Sequence, residues 1–153
     1  MIVFRLSKSK YADDLSGKGA EKIGRRWNSK GTAMVYTSES RALCTAEIAV
    51  HTPLGNLPVD YQLISIEIPD DIQFRELVLN ELPVGWHSIP HAHATQEIGD
   101  KFVADGKYAV LKVPSVVVQD EFNYLINPNH NESLRIRILS VEPFNFDERL
   151  FIK

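Results

Sequence analysis

The chain has 153 residues, with 17 Lys or Arg against 20 Asp or Glu and a formal charge of −3. That length holds one ordinary domain and not two, and 44% hydrophobic with 24% charged residues excludes a disordered or fibrous chain. No apolar run approaches the ~18 residues of a membrane helix, no apolar signal-peptide core opens the chain, and a lone cysteine, Cys44, leaves no internal disulfide and points to a reducing, cytoplasmic setting.

Residues 1–7, MIVFRLS, read as a first strand. Residues 8–32 are rich in Gly, Ser and Lys without sustained periodicity, which predicts a long irregular loop, and loops of that length inside a domain tend to carry function. The first thirty residues are also unlike the rest in charge. Eight basic side chains (Arg5, Lys8, Lys10, Lys18, Lys22, Arg25, Arg26, Lys30) stand against three acids, which gives +5 there and −8 in the remainder. A basic segment of this kind draws anions.

A short strand is predicted over 33–37, then a helix over 39–51 capped by Ser38 and ended by Pro53. The 3.6 period places Leu43, Ala46, Ala49 and Val50 on its buried face and Glu47 at the border of that face, where a carboxylate is partly desolvated and needs a partner. Residues 61–69 alternate, with Ile64, Ile66 and Ile68 on one side, and read as a strand. Residues 70–93 look irregular. A helix follows over 94–106, with Ile98 and Phe102 one turn apart and Gly106 as its left-handed stop. Strands are expected over 108–114 and 134–144, with a short extended segment and turn over 122–128. About six strands and two or three helices that do not alternate strictly favour a single α+β domain over a doubly wound parallel sheet.

Several catalytic signatures are missing, among them GxxxxGK[ST], GxGxxG, HExxH, CxxC and GxSxG. His87, His91 and His93 could ligate a metal by residue type, but Pro90 interrupts regular geometry, so no metal is expected. GRRWN at 24–28 is more specific. A guanidinium forks onto phosphate oxygens and an indole offers a stacking face. The alternative reading of the same residues is Trp27 as a core plug with the arginines as surface charge.

FRLS, GRRWNSKG, VYTSES, ALCTAEIAVH, LPVGW, ATQEIGDKFVADGKYAVLKVPSVVVQDEFNYLINPNH and RIRILSVEPFNFDERLF follow one another in this order. Through them the chain resembles, nearly end to end over 1–153, the RES-domain family, the toxin halves of bacterial toxin–antitoxin pairs. The resemblance implies an ADP-ribosyltransferase-like α+β fold with mixed or antiparallel sheets, acting on NAD as a substrate. It also implies a partner, an Xre-like helix-turn-helix antitoxin that blocks the active site, and leaves room for a homodimer within a larger complex. No membrane and no direct DNA binding by this chain are expected.

The residues carried over by the resemblance are Arg26, Tyr36, Glu47 and Ser115 as catalytic groups and Arg5 as a group that binds the dinucleotide; beside them Trp27 is the candidate stacking face, and Asn28 and Asn123 are candidates for ribose or phosphate contacts. Arg25 stands where the family often has glycine, so Arg26 is the arginine carried over. Breaking the nicotinamide–ribose bond develops oxocarbenium character. In that scheme Glu47 stabilises the developing cation through the ribose, Arg5 and Arg26 hold the pyrophosphate, Tyr36 stacks on nicotinamide or ribose, and Ser115 orients a ribose or amide group. The acceptor of the ADP-ribose stays open among water, phosphate and a protein. A non-catalytic nucleotide- or nucleic-acid-binding module is the reading from another class, opposed by the acidic remainder of the chain.

Overall fold

A computed structural model describes residues 1–153. In chain order the elements are β1 (Ile2–Lys8), α1 (Lys18–Ile23), β2 (Val35–Ser38), α2 (Arg41–His51), β3 (Tyr61–Glu67), β4 (Phe74–Glu76), α3 (His93–Asp105), β5 (Val110–Pro114), β6 (Phe122–Ile126) and β7 (Arg137–Phe144), with short 3-10 turns at Ser9–Tyr11, Leu79–Glu81, Asn131–Arg135 and Glu148–Leu150. The seven strands form one sheet in the order β4-β5-β6-β2-β1-β3-β7. Every neighbouring pair is antiparallel except β4 and β5. The α+β expectation is met, with one strand more than the sequence suggested.

The sheet is continuous in order but uneven in pairing. β1 pairs with β3 over seven positions, from Ile2 opposite Glu67 to Lys8 opposite Tyr61. It meets β2 at a single position, Phe4 opposite Ser38. Beyond that bridge the two strands make no further ladder, so the sheet has a seam between a β2-β6-β5-β4 half and a β1-β3-β7 half.

Side chains directly opposite in a ladder share a face. One face carries Val3, Val35, Ile64, Ile66, Val110 and Ile126, packed with Ala12, Ile72 and Ile136. The other face divides at the seam. On one side Phe4, Leu6 and Leu63 pack with Cys44 and Ile48 of α2. On the other, Leu111, Val113 and Leu125 pack with Trp27, Met34 and Phe102, the last from α3. The two longer helices thus flank the seam on the same side of the sheet.

The alternation of Ile64, Ile66 and Ile68 is realised in full, with all three at 0–1% exposure. Gly106 ends α3 at φ 60°, as its position predicts. Four local expectations are corrected. Residues 8–32 contain the Ser9–Tyr11 turn and α1 and are not a continuous loop. The cap of α2 is Ser40, whose Oγ accepts from the Leu43 N–H at 3.0 Å, because Ser38 is still held in β2 between Phe4 and Asn123. Val50 is 62% exposed, so the buried face of α2 is rotated toward Leu43 and Cys44. Residues 70–93 contribute a short strand, β4, which runs parallel to β5.

Candidate functional site at the seam of the sheet

The seam gathers polar groups that a continuous core would exclude. Ser38 ends β2 and stands opposite Asn123 of β6 in the ladder. Glu47 comes from α2, one turn after Leu43, and points into the same place. The Asn123 amide donates to Glu47 Oε1 at 2.8 Å, and Ser38 Oγ donates to Oε2 at 3.3 Å. The same amide donates to Ser38 Oγ at 3.1 Å and to the Thr37 carbonyl at 3.2 Å. Both carboxylate oxygens are therefore oriented by groups fixed in the sheet. Burial raises the Glu47 carboxyl above its ordinary value, and Asn123, Ser38, His51 and Arg25 oppose that rise by favouring the charged form.

Three arginines come from β1 and the segment before β2, and none of them forms an ion pair; the charge of Arg25 acts on Glu47. Arg5 lies on β1 one residue past the Phe4–Ser38 bridge, and its Nη1 donates to the Asp14 carbonyl at 2.5 Å. Burial pulls its pKa down, the nearby charge of Asp14 opposes that, and the charge of Arg25 adds to it. A largely buried cation with no carboxylate in direct ion-pair contact is costly, and such groups mark functional sites. Arg25 is exposed, its guanidinium makes no hydrogen bond within the chain, and its Cζ stands 5.9 Å from the centre of the Tyr36 ring. Its charge acts on Arg5, Tyr36 and Glu47 alike. Arg26 is engaged differently, with Nη1 donating to the carbonyls of Trp86 at 2.9 Å and Ser88 at 3.0 Å.

Tyr36 lies two residues before Ser38, on the same face of β2. Its hydroxyl accepts from the Trp27 N–H at 3.0 Å and donates to Asn28 Oδ1 at 2.7 Å. Burial raises its pKa far above the ordinary tyrosine value, so the phenol stays protonated at neutral pH. The ring remains as a surface, with Arg25 over it.

Asn28 and Trp27 are scaffold. Asn28 is 0% exposed, and its amide donates to the carbonyls of Ala20 at 2.8 Å and Thr32 at 3.0 Å. With Oδ1 taken by Tyr36, it has nothing left for a ribose or phosphate. Trp27 is 3% exposed and packs with Met34, Leu111 and Phe102, so the core-plug reading holds and its indole offers no stacking face. The binding roles expected for these two residues are corrected accordingly. Asn123 does lie in the site, but it contacts Glu47.

Ser115 stands two residues beyond Val113, the ladder partner of Asn123. It is 7% exposed, and its Oγ accepts from the N–H groups of Val117 at 3.0 Å and Val118 at 3.1 Å. That closes the turn between β5 and β6 and leaves the hydroxyl proton available to an acceptor. His87, His91 and His93 diverge. His87 packs edge-on against Trp86, His91 Nε2 lies 3.2 Å from Gln96 Nε2, and His93 pairs with Glu97 at 3.1 Å. An apolar cavity of about 270 Å³ lined by Leu15, Val35, Ile126, Leu134 and Ile136 opens on the opposite face of the sheet.

Two residues of this cluster were not singled out by sequence. Ser38 reads as a helix cap, and Arg25 was set aside in favour of its neighbour. The one available signal was their spacing to Tyr36, two residues before Ser38 and eleven after Arg25, which has no meaning until the seam is known.

The RES domain family pattern matches residues 2–147. The chain is 40% identical over 144 residues to the Prs ADP-ribosylating toxin of Sphingobium sp. (strain YBL2), covering 93% of this chain and 89% of that protein. It is 35% identical over 153 residues to Toxin Res of Pseudomonas putida, covering 99% and 100%. A chain of the crystal structure of the M. tuberculosis MbcT–MbcA toxin–antitoxin complex superposes with a TM-score of 0.75 at 17% identity, over 94% of this chain and 84% of that one, which is a likeness of fold. With the family pattern spanning nearly all of its residues, and relatives 35–40% identical over most of their length, the chain belongs to the RES domain family.

Proposed function

We propose that the protein is the toxin of a toxin–antitoxin pair and that it consumes NAD by cleaving the nicotinamide–ribose bond. The observation that carries this reading is the oriented, partly desolvated Glu47 carboxylate within the field of Arg25, a guanidinium that makes no ion pair or hydrogen bond within the chain. A dinucleotide supplies what both lack: a pyrophosphate for the cations and a ribose for the carboxylate. Arg5 and Arg25 hold the pyrophosphate. Tyr36 offers its ring to the nicotinamide or the adjoining ribose, and Ser115 donates to the nicotinamide amide or ribose.

As the glycosidic bond breaks, its electron pair leaves with neutral nicotinamide and the ribose carbon becomes cationic. Glu47, held by Asn123 and Ser38, faces that charge without having to reorganise, and this is where a preorganised electrostatic site gains over water. A nucleophile oxygen then bonds to the ribose carbon and loses its proton. Water gives ADP-ribose and phosphate gives its phosphorylated counterpart. A protein side chain as the acceptor is the second reading, favoured by the name of the Sphingobium relative.

The neighbour of known structure comes from a toxin–antitoxin complex. We extend that to an antitoxin partner of this chain, of the Xre-like helix-turn-helix kind, that covers the seam. No helix is long and apolar enough to cross a membrane.

The test is release of nicotinamide from NAD by purified, antitoxin-free protein, with and without inorganic phosphate and with labelled NAD in a cell lysate. Nicotinamide release by the parent and its loss in Glu47→Gln support the reading. Label on a discrete protein band moves it to protein transfer. No release by folded protein overturns it.

A further inference from the structure

α2 lies along the open part of the seam. At its start the Arg41 guanidinium stands 4.4 Å over the Phe4 ring, and towards its end Ile48 packs with Leu6 and Tyr61. Tyr61 is opposite Lys8 in the ladder. The helix therefore runs in the direction of β1, away from the Phe4–Ser38 bridge and along the stretch where β1 and β2 no longer pair. Leu43, Cys44, Glu47 and Ile48 form its sheet-facing stripe, and the 3.6 period makes His51 the next member. His51 is nevertheless exposed. A side chain on an inward-facing stripe that stays exposed has no core beneath it, and here the helix end overhangs the mouth of the gap.

The ring is held in one orientation. Nδ1 lies 2.7 Å from the Glu47 carbonyl oxygen. A carbonyl only accepts, so Nδ1 carries the proton, and in the neutral ring Nε2 keeps a free lone pair. Nε2 has no hydrogen-bond or ionic partner in the chain. The charge of His51 also acts on the Glu47 carboxyl, which joins the two side chains in one electrostatic site.

We infer, on the NAD-cleaving reading, that His51 is the catalytic base of the reaction: Nε2 takes the proton of the water that captures the ribose carbon. The nicotinamide–ribose bond breaks with its electron pair on nicotinamide. A lone pair of the water oxygen forms the new bond to the ribose carbon, and the water proton passes to Nε2. The imidazolium then gives that proton to solvent, to which it is open. Glu47 is poorly placed for this second task, because both of its oxygens are held by Asn123 and Ser38 and its negative charge faces the cation. A neutral imidazole adds no positive charge beside the ribose until the new bond is forming. A histidine in the last turn of a helix also suits the helix dipole when charged, but that role needs neither Nε2 nor NAD.

The experiment measures the products formed from NAD by the parent, His51→Asn and His51→Gln, in water and with sodium azide added. Asparagine keeps a donor near the place of Nδ1 and lacks Nε2. Azide bonds to the ribose carbon with no proton to lose. In water His51→Asn slows nicotinamide release by at least about tenfold, less than the full contribution of a positioned base because bond breaking runs ahead of proton transfer. Azide restores release in the variant, and its ratio of glycosyl azide to ADP-ribose exceeds the parent's by about tenfold. His51→Gln shows the same ratio. Because the ratio compares two products of one sample, it does not depend on how much of that sample is folded.

Release by His51→Asn at the parent's rate in water overturns the inference. So does slow release that azide leaves slow, or a product ratio equal to the parent's, which is the behaviour of a side chain that only supports the helix end. A parent that releases no nicotinamide in water also overturns it; if inorganic phosphate does not bring release either, the NAD-cleaving reading falls as well.

Discussion

Glu47 shows how one residue can trade stability for chemistry. Its carboxyl is raised by burial, so the native state holds its proton more tightly than the unfolded chain does. Stability on this account is greatest at low pH and falls as pH rises from the ordinary carboxylate value, ~4.3, through the raised native value. Glu47→Gln removes that loss, so its Tm at pH 7 should equal or exceed the parent's, while nicotinamide release drops by about 10²–10³-fold, the usual scale for losing one oriented electrostatic group. The parent's rate should fall as acid protonates Glu47, with a midpoint above the usual carboxylate range. A lower Tm in Glu47→Gln, or a rate that is flat across that range, contradicts the role given to this side chain. Cys44, one turn before Ile48 on the same helix, makes the opposite case. It is 5% exposed and burial pushes its thiol up to about 12, so it should resist alkylation at pH 8 in the native protein and react once unfolded.

At the scale of elements, the site depends on how closely α3 approaches the 24–28 segment. A Cβ on Gly99 would lie 1.6 Å from the Trp27 carbonyl oxygen and 2.7 Å from its carbon. Only a bare backbone lets α3 come that near, and Gln96 and Asp100 on either side then bond the same segment, Asp100 accepting from the Ser29 N–H at 2.9 Å. Gly99→Ala should cost at least about 3 kcal/mol, since backbone must move on one side, seen as a large fall in Tm or as loss of soluble protein. An unchanged Tm would mean that α3 is free to slide outward.

The elements themselves were largely legible in the sequence. Period-2 runs gave β3 and β7, and Gly106 marked the end of α3. The buried face of α2 was not legible, because its apolar residues fit two stripes about one residue apart. The stripe of Leu43, Ala46, Ala49 and Val50 is as periodic as that of Leu43, Cys44 and Ile48. The sheet beneath decides between them, and its choice turns Glu47 inward.

Across the whole molecule the seam is the organising feature. Two sheet halves, each with its own helix, meet at one bridge, Phe4 opposite Ser38. A ligand that lies in that gap contacts both halves, so it should stabilise the fold as a unit. With Glu47→Gln to prevent turnover, NAD at about a hundred times its Kd should add about 2.7 kcal/mol, a rise in Tm of about 5–10 °C for a domain of this size. Nicotinamide or ADP-ribose alone should give less, since each lacks part of the span. No shift with NAD, in a variant that is folded, would place the ligand elsewhere.

The sequence by itself determined the class of fold, most of the strands, the basic character of the first thirty residues and, through the order of its motifs, the family. These depend on local periodicity and on residue types that keep their meaning wherever the chain goes. Which arginine is left without an acceptor depended on the tertiary structure. Arg25 and Arg26 are adjacent and chemically identical, yet one is left without an acceptor while the other donates to carbonyls sixty or more residues away. The same holds for Trp27 and Asn28, which a motif alone could place on a nucleotide and which the folded chain buries. A side chain's partners are set by which distant backbone comes alongside it, and no spacing within the sequence encodes that.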